Sequence, residues 1–222
     1  MLLAVDTSTQ TMGLALYNGS EVLGESVWRT HSHHTVELAP AIEELFQRTT
    51  VKPADLTVLA CALGPGSFTS LRIGLAVVKG LALSLHIPII GIPTLDFLAA
   101  AQPLRDMPML ALLPAGRSRM AVVHYTVVDG AWTAQGGPSV MTTEALSDSI
   151  HGPTYICGEM TAEERQQLGR KWKNAILASP AQSVRRPAFL AELAWRRWEA
   201  HDVDEPVSLA PIYVHVAEAI PD

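Results

Sequence analysis

The sequence contains few cysteines, few charged residues and no excess of positive charge. Its two cysteines in 222 residues, Cys61 and Cys157, form neither a disulfide framework nor a metal-ligand spacing, which suits a reducing compartment. Hydrophobic residues make up 48% and charged residues 17%, the balance of a globular chain rather than a disordered one. The net charge of -6 argues against a general nucleic-acid binder, which would need a basic surface to match phosphates.

Motifs for catalysis and export are also lacking. No G-x-S-x-G elbow and no H-E-x-x-H pair occurs, so neither a serine hydrolase of the nucleophile-elbow type nor a zinc peptidase has residues to use. The N-terminus lacks a cationic region, and Asp6 interrupts its apolar start, so we expect no signal peptide. The most apolar stretch, residues 75–92, carries Lys79, His86 and Pro88, which favours a soluble core segment over a membrane span. We therefore expect a cytoplasmic protein with no membrane contact.

The central feature is a glycine-rich turn that follows the apolar run 58–63 and precedes a helical pattern. A strand, a tight turn and a helix in this order place helix amides where an anion can bind. The P-loop pattern is absent, and Thr69 replaces the third glycine of the dinucleotide-binding pattern. A polar loop after the first strand could add a carboxylate and hydroxyls near a metal-bound phosphate, although such an aspartate is more often a turn or cap residue. The predicted cofactor-binding residues are Asp6, Thr7, Ser8, Gly64, Gly66, Ser67 and Thr69.

The helix predicted at 69–85 has unusually small side chains. Each of its two glycines costs about 1 kcal/mol relative to alanine, so close packing must offset the cost. That packing is either within the subunit or against a helix of a second protein, and the two can occur on different faces. Arg72 could pair with an anion or form a structural salt bridge. The predicted partner interface consists of Leu38, Ile42, Ser70, Arg72, Gly74, Val77, Gly80 and Leu81.

The order of the remaining elements predicts an α/β chain of two structurally related halves. Strands are predicted at 2–5, 12–17, 21–29, within 53–63, and at 88–92, 109–114, 120–128, 131–135, 154–158 and 175–177. Helices are predicted at 35–48, 69–85, from Thr94 as N-cap, and at 143–150, 161–170 and 187–201. Asn18-Gly19 and Asp129-Gly130 predict hairpin turns. A proline-containing linker at 102–108 places the domain boundary at about residue 104, between domains 1–104 and 105–222.

Three histidines, His31, His33 and His34, precede the first helix. Their spacing does not suit one helical face, and no cysteine or carboxylate accompanies them at ligand spacing. A polar loop before the helix is therefore favoured over a metal site, and no metal ligand is predicted.

Several motifs together resemble the TsaB (YeaZ) family. They are, in chain order, L-A-V-D-T-S-T, H-T-V-E-L-A-P-A-I, A-L-G-P-G-S-F-T-S-L-R-I-G-L-A-V-V-K-G-L-A and I-P-I-I-G-I-P-T-L-D, which cover roughly residues 1 to 100. Beyond them, L-L-P-A-G-R is similar to the family's D-A-R turn with Ala115 in place of the aspartate. The closing P-I-Y-V-H is similar to its P-x-Y-x-R end with His215 in place of arginine.

The resemblance implies the two-lobed actin/sugar-kinase/Hsp-like ATPase fold (ASKHA), each lobe a mixed sheet with flanking helices. It implies an accessory subunit rather than an enzyme, one that binds and activates or stabilises a TsaD-like threonylcarbamoyltransferase in forming threonylcarbamoyladenosine in tRNA next to the anticodon. A TsaE-like ATPase joins that assembly, and the N-terminal lobe also forms homodimers through the surface that binds the partner. The resemblance implies that this subunit itself requires no cofactor and that any ATP or ADP would lie at the junction with the TsaD-like subunit. It also implies that tRNA is contacted only through the complex. The alternative is an ATPase or phosphotransferase acting alone. Older names call this family glycoproteases or peptidases, but the sequence contains no residues that would support proteolysis.

Overall fold

The computed structural model describes residues 1–31, 33–116, 118–171 and 173–214. The described chain divides into two compact units. Unit 1 comprises Met1–Ala101 and Arg185–Ile212. Unit 2 comprises Gln102–Val184, joined by Tyr213 and Val214.

Unit 1 is a five-stranded sheet with helices on both faces. Its elements are β1 Leu2–Asp6, β2 Thr11–Tyr17, β3 Val22–Arg29, α1 His34–Thr49, a 3-10 turn Pro53–Asp55, β4 Val58–Ala62, α2 Phe68–Leu85, β5 Ile89–Ile92, α3 Thr94–Ala100 and, later in the chain, α6 Pro187–Glu199. The strand order is β3-β2-β1-β4-β5. β1, β4 and β5 are parallel, whereas β1, β2 and β3 form an antiparallel meander.

The central strands of unit 1, β1 and β4, are buried on both faces because they are apolar at every position except Asp6, the last residue of β1. Leu3 and Val5 of β1 face α1 and α2 in one core cluster, which also contains Leu38 and Val78. Leu2 and Ala4 face the other way and belong to the cluster that contains helix α6. Such continuous apolar runs are typical of parallel strands covered by helices on both sides.

Unit 2 is a second mixed sheet with two helices. Its elements are β6 Met109–Pro114, β7 Arg119–Val128, β8 Ala131–Ala134, β9 Ser139–Thr142, α4 Thr143–Ser149, β10 Thr154–Gly158, α5 Ala162–Gly169 and β11 Ala175–Leu177. The strand order is β11-β10-β6-β7-β8, and β9 also pairs with β7. Thr161 caps α5, and its reciprocal bond with Glu164 forms the predicted capping box.

The two sheets share one plan. In each, the first strand lies at the centre, an antiparallel meander extends to one side, and two parallel strands extend to the other. Thus β1, β2, β3, β4 and β5 correspond to β6, β7, β8, β10 and β11. This confirms the prediction of two structurally related halves.

The chain returns to unit 1 after unit 2, which differs from the predicted division into 1–104 and 105–222. The first segment ends at Ala101, near the predicted boundary, but residues 185–212 also belong to unit 1. The physical reason is that α6 buries Leu190 and Ala194 against the first sheet. The segment beyond α6 is tied to the same unit, since the Asp204 amide donates to the carbonyl of Ile89 (3.0 Å) and the Ile212 amide to that of Leu63 (2.7 Å).

The structure departs from the predictions at one turn and at the start of one helix. Gly19 has a φ of 96° as expected, but Asn18 does not have a positive φ, so the turn is not the predicted two-residue form. Instead Asn18 Oδ1 accepts hydrogen bonds from the amides of Ser20 (2.9 Å) and Glu21 (2.8 Å), closing a longer loop. Thr94, predicted as a helix N-cap, makes no capping bond because Pro93 precedes the helix and the Thr94 hydroxyl is used elsewhere.

Candidate functional site

The loop after β1 begins with a buried ion pair. Asp6 is 1% exposed, and its Oδ2 accepts a hydrogen bond of 2.8 Å from Nε of Arg185, which is also 1% exposed. The other carboxylate oxygen, Oδ1, accepts from the amide of Ser8 (2.8 Å). Arg185 Nη2 in addition donates to Thr9 Oγ1 (3.0 Å) and to the carbonyl of Thr11 (2.8 Å). Both oxygens of the only carboxylate in this loop are therefore engaged by the protein itself.

The hydroxyls of the same loop are also engaged. Thr7 Oγ1 donates to the carbonyl of Ser70 in α2 (2.8 Å). Ser8 Oγ shares a hydrogen bond of 2.7 Å with Thr94 Oγ1, which also accepts from the amide of Gly64 (2.9 Å). Ser8 and Thr94 are both fully buried. These bonds join the loop, the glycine turn and α3 into one internal network.

The glycine turn packs directly on this loop. A Cβ atom at Gly66 would collide with the carbonyl oxygen of Ser8, and that carbonyl accepts from the amide of Ser67 (2.7 Å). Gly64 has a φ of 106°, a conformation that favours glycine. Ser67 caps α2, with its Oγ accepting from the Ser70 amide at 3.4 Å. The glycines are needed for backbone contact within unit 1.

Most of the residues predicted to bind a cofactor make contacts within unit 1. The structure brings six of the seven predicted residues together, since the loop and the turn are neighbours, whereas Thr69 is an exposed residue of α2. However, Asp6, Thr7 and Ser8 are buried and their polar groups are satisfied internally, and the amides of Gly64 and Ser67 are already donors to protein oxygens. Only Ser67 and Thr69 are exposed among the seven. These bonds make the loop and the glycine turn a structural junction within unit 1.

The eight residues predicted for the partner interface differ in exposure. Leu38, Ile42, Ser70 and Gly74 are buried inside unit 1 and present no surface to a second protein. Gly74 is required because a Cβ atom there would collide with Thr7 Oγ1. The close packing that offsets the cost of this glycine is therefore internal.

The other side of α2 is exposed, and internal packing does not explain the glycine on that side, Gly80. A Cβ atom at Gly80 would have no heavy atom within 4 Å. We define the α2 face by five of the exposed residues of this helix, which are Phe68, Arg72, Ala76, Gly80 and Leu83. The predicted residues Val77 and Leu81 are partly exposed beside it.

Large apolar groups and one cation lie on the α2 face. Leu83 is 79% and Phe68 52% exposed, and the Arg72 guanidinium lies 3.7 Å from the centroid of the Phe68 ring. Among the described residues, α2 is long and apolar enough to cross a membrane, but only by length and composition, and 33% of it is buried in the protein. Core helices of soluble proteins meet the same criterion.

The histidines before α1 differ in environment. His34 is buried, and its Nε2 donates to the carbonyl of Thr9 (2.9 Å), whereas His31 and His33 are exposed. Hydrogen bonds from Thr30 and Trp28 lower the pKa of Glu37 in the first turn of α1.

Within the described ranges, no group of three or more histidine, cysteine, aspartate or glutamate side chains could hold a metal ion.

Two predicted departures from the family lie in the second half. Ala115 is exposed, and its amide donates to the carbonyl of Arg119 (2.8 Å), which closes the turn between β6 and β7. His215 lies outside the described residues.

Two residues that organise the loop, Arg185 and Thr94, were not predicted to do so. Arg185 lies in a short polar stretch between two prolines and carries no periodic signal. Thr94 was noticed, but only as a cap. A buried aspartate at the end of an apolar strand does require a partner, and that requirement was the one signal for Arg185.

Comparisons with known proteins agree on one family. A family model described as "TsaD: tRNA N6-adenosine threonylcarbamoyltransferase" matches residues 22–182. A protein of Bacillus subtilis (strain 168), named "tRNA threonylcarbamoyladenosine biosynthesis protein TsaB", is 33% identical over 98% of this chain and 95% of its own length. The chain belongs to the TsaB (YeaZ) family.

Solved structures show the fold of this TsaB-family chain. YeaZ from Pseudomonas aeruginosa superposes with a TM-score of 0.77 at 22% identity, covering 96% of this chain and 99% of that one. The ROK hexokinase from Thermus thermophilus has a TM-score of 0.50 at 11% identity, covering 90% and 99%. The chain has the actin-like ATPase and sugar-kinase fold, with two mixed sheets and flanking helices, as the resemblance implied.

Proposed function

We propose that this chain is a non-catalytic subunit that binds a TsaD-like threonylcarbamoyltransferase and activates or stabilises it. The assembly forms threonylcarbamoyladenosine in tRNA. The observation that supports this role most directly is the 33% identity, over nearly the whole chain, to a relative named for that biosynthesis. The accessory role is supported by the Asp6 loop, whose polar groups bond to one another and to neighbouring elements of unit 1.

The α2 face is the proposed binding surface for the TsaD-like subunit. Phe68 and Leu83 leave apolar area in water, and its burial would stabilise a complex by roughly 25 cal/mol per Å² before the costs of association. Ala76 and Gly80 are small, so a partner helix could approach the backbone of α2 closely. Arg72 supplies a cation on the α2 face, where it would select an acidic partner group. In isolation, the same face would join two copies of the chain into a homodimer.

The other components follow from this arrangement. A TsaE-like ATPase would join the complex, and ATP or ADP would lie at the junction with the TsaD-like subunit rather than in the Asp6 loop. The net charge of -6 favours tRNA contact through the complex and not through this subunit alone. Two buried free thiols suit the cytoplasm, and we propose that the apolar face of α2 serves a protein and not a membrane.

The test is reconstitution of the modification reaction. Purified TsaD-like and TsaE-like subunits, tRNA and threonylcarbamoyl-adenylate are combined with and without this protein, and modified adenosine is measured by mass spectrometry of the digested tRNA. Modification should depend on this protein and be absent when it replaces the TsaD-like subunit. Equal modification without it would overturn the proposal. Modification by this protein alone would instead assign it the transferase activity in the description of the matching family model.

A further inference from the structure

The ATPases and sugar kinases that share this fold imply a metal-bound nucleotide at the loop after the first strand, and the residues of this chain can be tested against it. A divalent cation there would need the oxygens of Asp6 and its neighbours. Those oxygens are not available. Asp6 Oδ2, Thr9 Oγ1 and the Thr11 carbonyl all accept hydrogen bonds from Arg185, at 2.8, 3.0 and 2.8 Å. The residues therefore do not fit a resident metal or its nucleotide.

The charge balance leads to the same result. The Arg185 and Asp6 side chains are 0% and 2% exposed, so their opposite charges neutralise each other in the interior. Arginine does not lose its proton under ordinary conditions, so the positive charge at this position is permanent. A metal ion that took over Asp6 would leave a buried guanidinium without its counter-ion, which is strongly unfavourable.

The geometry points to Arg185 as a permanent internal cation that takes the place of a metal at the Asp6 loop. A carboxylate, a hydroxyl and a backbone carbonyl are the oxygen types that hard cations bind, and here they converge on one guanidinium. The loop is thus folded without metal or nucleotide, and unit 1 binds neither at this position. The three oxygens form a latent cation site that opens when the guanidinium is removed.

Two comparisons test this inference. The first is the wild-type protein with Mg²⁺ and ATP in a calorimeter, where no binding is expected. The second follows Mn²⁺ binding by electron paramagnetic resonance in Arg185→Ala and in the double variant Asp6→Asn with Arg185→Ala. Arg185→Ala should bind Mn²⁺ at least tenfold more tightly than the double variant, and its thermal midpoint should rise with Mn²⁺.

If Arg185→Ala is destabilised, methylguanidinium can be added to replace the missing guanidinium group and restore its stability. At concentrations below those that denature, it should raise the thermal midpoint of Arg185→Ala and leave that of the double variant unchanged. Arg185→Lys is the charge-retaining control, and it should fold without binding Mn²⁺.

Two results would overturn the inference. One is ATP binding by the wild-type protein that is lost in Asp6→Asn. The other is an Arg185→Ala protein that responds to Mn²⁺ and methylguanidinium no more than the double variant does. Neither result affects the proposed binding of a TsaD-like subunit, because the α2 face contains none of these residues. ATP binding through Asp6 would change only the proposed position of the nucleotide.

Discussion

The α carbon of Gly74 lies directly against the side chain of Thr7, with no room between them for a methyl group. A Cβ atom at this position would overlap Thr7 Oγ1 and also lie 3.1 Å from Cγ2. Thr7 is held in place because its hydroxyl donates to the carbonyl of Ser70, one helical turn before Gly74. The contact fixes α2 to the end of β1 and gives the first helical glycine a purely internal role.

Gly74→Ala should therefore destabilise the protein, although alanine is the better helix former. Overpacking of a filled site costs about 1–3 kcal/mol, which exceeds the helix-propensity gain of about 1 kcal/mol. Gly80→Ala is the matched control, because its added methyl meets no atom within 4 Å and should stabilise by about 0.5–1 kcal/mol. Urea denaturation measures both changes. Equal stabilisation by the two substitutions would show that the Thr7 contact is not restrictive.

The buried ion pair of Asp6 and Arg185 should dominate the stability of the loop after β1. Asp6→Ala leaves a buried guanidinium without its counter-ion, and such losses cost about 3–5 kcal/mol. Glu44→Ala is the control, since its ion pair with Arg48 is exposed and should contribute little. Denaturant unfolding of both variants measures the difference. A cost for Asp6→Ala no larger than that of the control would contradict the structure.

Thr94 should contribute through its hydroxyl and not through its size. Thr94→Val keeps the shape of the side chain but removes the acceptor for the Gly64 amide and the partner of Ser8 Oγ. Leaving a buried amide unsatisfied costs about 1–3 kcal/mol. Thr133→Val, at an exposed position of β8, is the control and should have little effect. Equal stabilities in thermal or urea unfolding would mean that the internal network is dispensable.

The two cysteines should be inert in the folded protein. Burial raises the pKa of Cys61 and of Cys157 from 9.0 to about 12, so neither forms the reactive thiolate near neutral pH. A colorimetric thiol reagent at pH 8 should label the native protein very slowly and the denatured protein at both positions. The folded state holds these protons more tightly, so their contribution to stability is complete below pH 9 and is lost as the pH rises towards 12. Rapid labelling of the native protein would contradict the burial of both thiols.

Much of the fold was predictable because its strands are continuous apolar runs bounded by turn residues. β1 and β4 are buried at every position, and the recurring strand-hairpin pattern correctly indicated two related sheets. β9 was missed because Ser139–Thr142 is short and only partly buried, so it lacks an apolar pattern. The assignment of α6 to unit 1 could not be predicted, since an amphipathic helix does not encode which sheet it covers.

The proximity of the loop and the glycine turn was predictable, but the hydrogen-bond partners of their polar groups were not. The loop and the glycine turn meet as expected, yet their polar groups bond to each other and to Arg185, which lies 179 residues from Asp6 in the chain. A contact between residues so distant in sequence has no local signal. The opposite roles of Gly74 and Gly80 were accessible in principle, because six residues on a helix correspond to a rotation of about 240° and the two glycines cannot share one face.

Gly80 then carries the sharpest test of the proposed interface. Gly80→Leu adds a bulky side chain to the α2 face at a position where a Cβ atom meets no heavy atom within 4 Å outside its own part of the helix. The variant should keep the thermal midpoint of the wild-type protein within a few degrees, while a helix packed closely against Ala76 and Gly80 would be forced away. We expect affinity for the TsaD-like subunit to fall at least tenfold, about 1.4 kcal/mol, and the homodimer to weaken in parallel.

A matched control distinguishes a local clash from added surface hydrophobicity. Gly137→Leu places the same side chain at another open, exposed glycine, in unit 2, and should bind the TsaD-like subunit as the wild-type protein does. Surface plasmon resonance with the TsaD-like subunit immobilised measures the affinities, and analytical ultracentrifugation measures the homodimer. Because Gly74 is internal, Gly74→Leu cannot serve as a second interface variant, since it would lose binding by unfolding. Wild-type affinity in a folded Gly80→Leu protein would place the partner on a surface other than the α2 face.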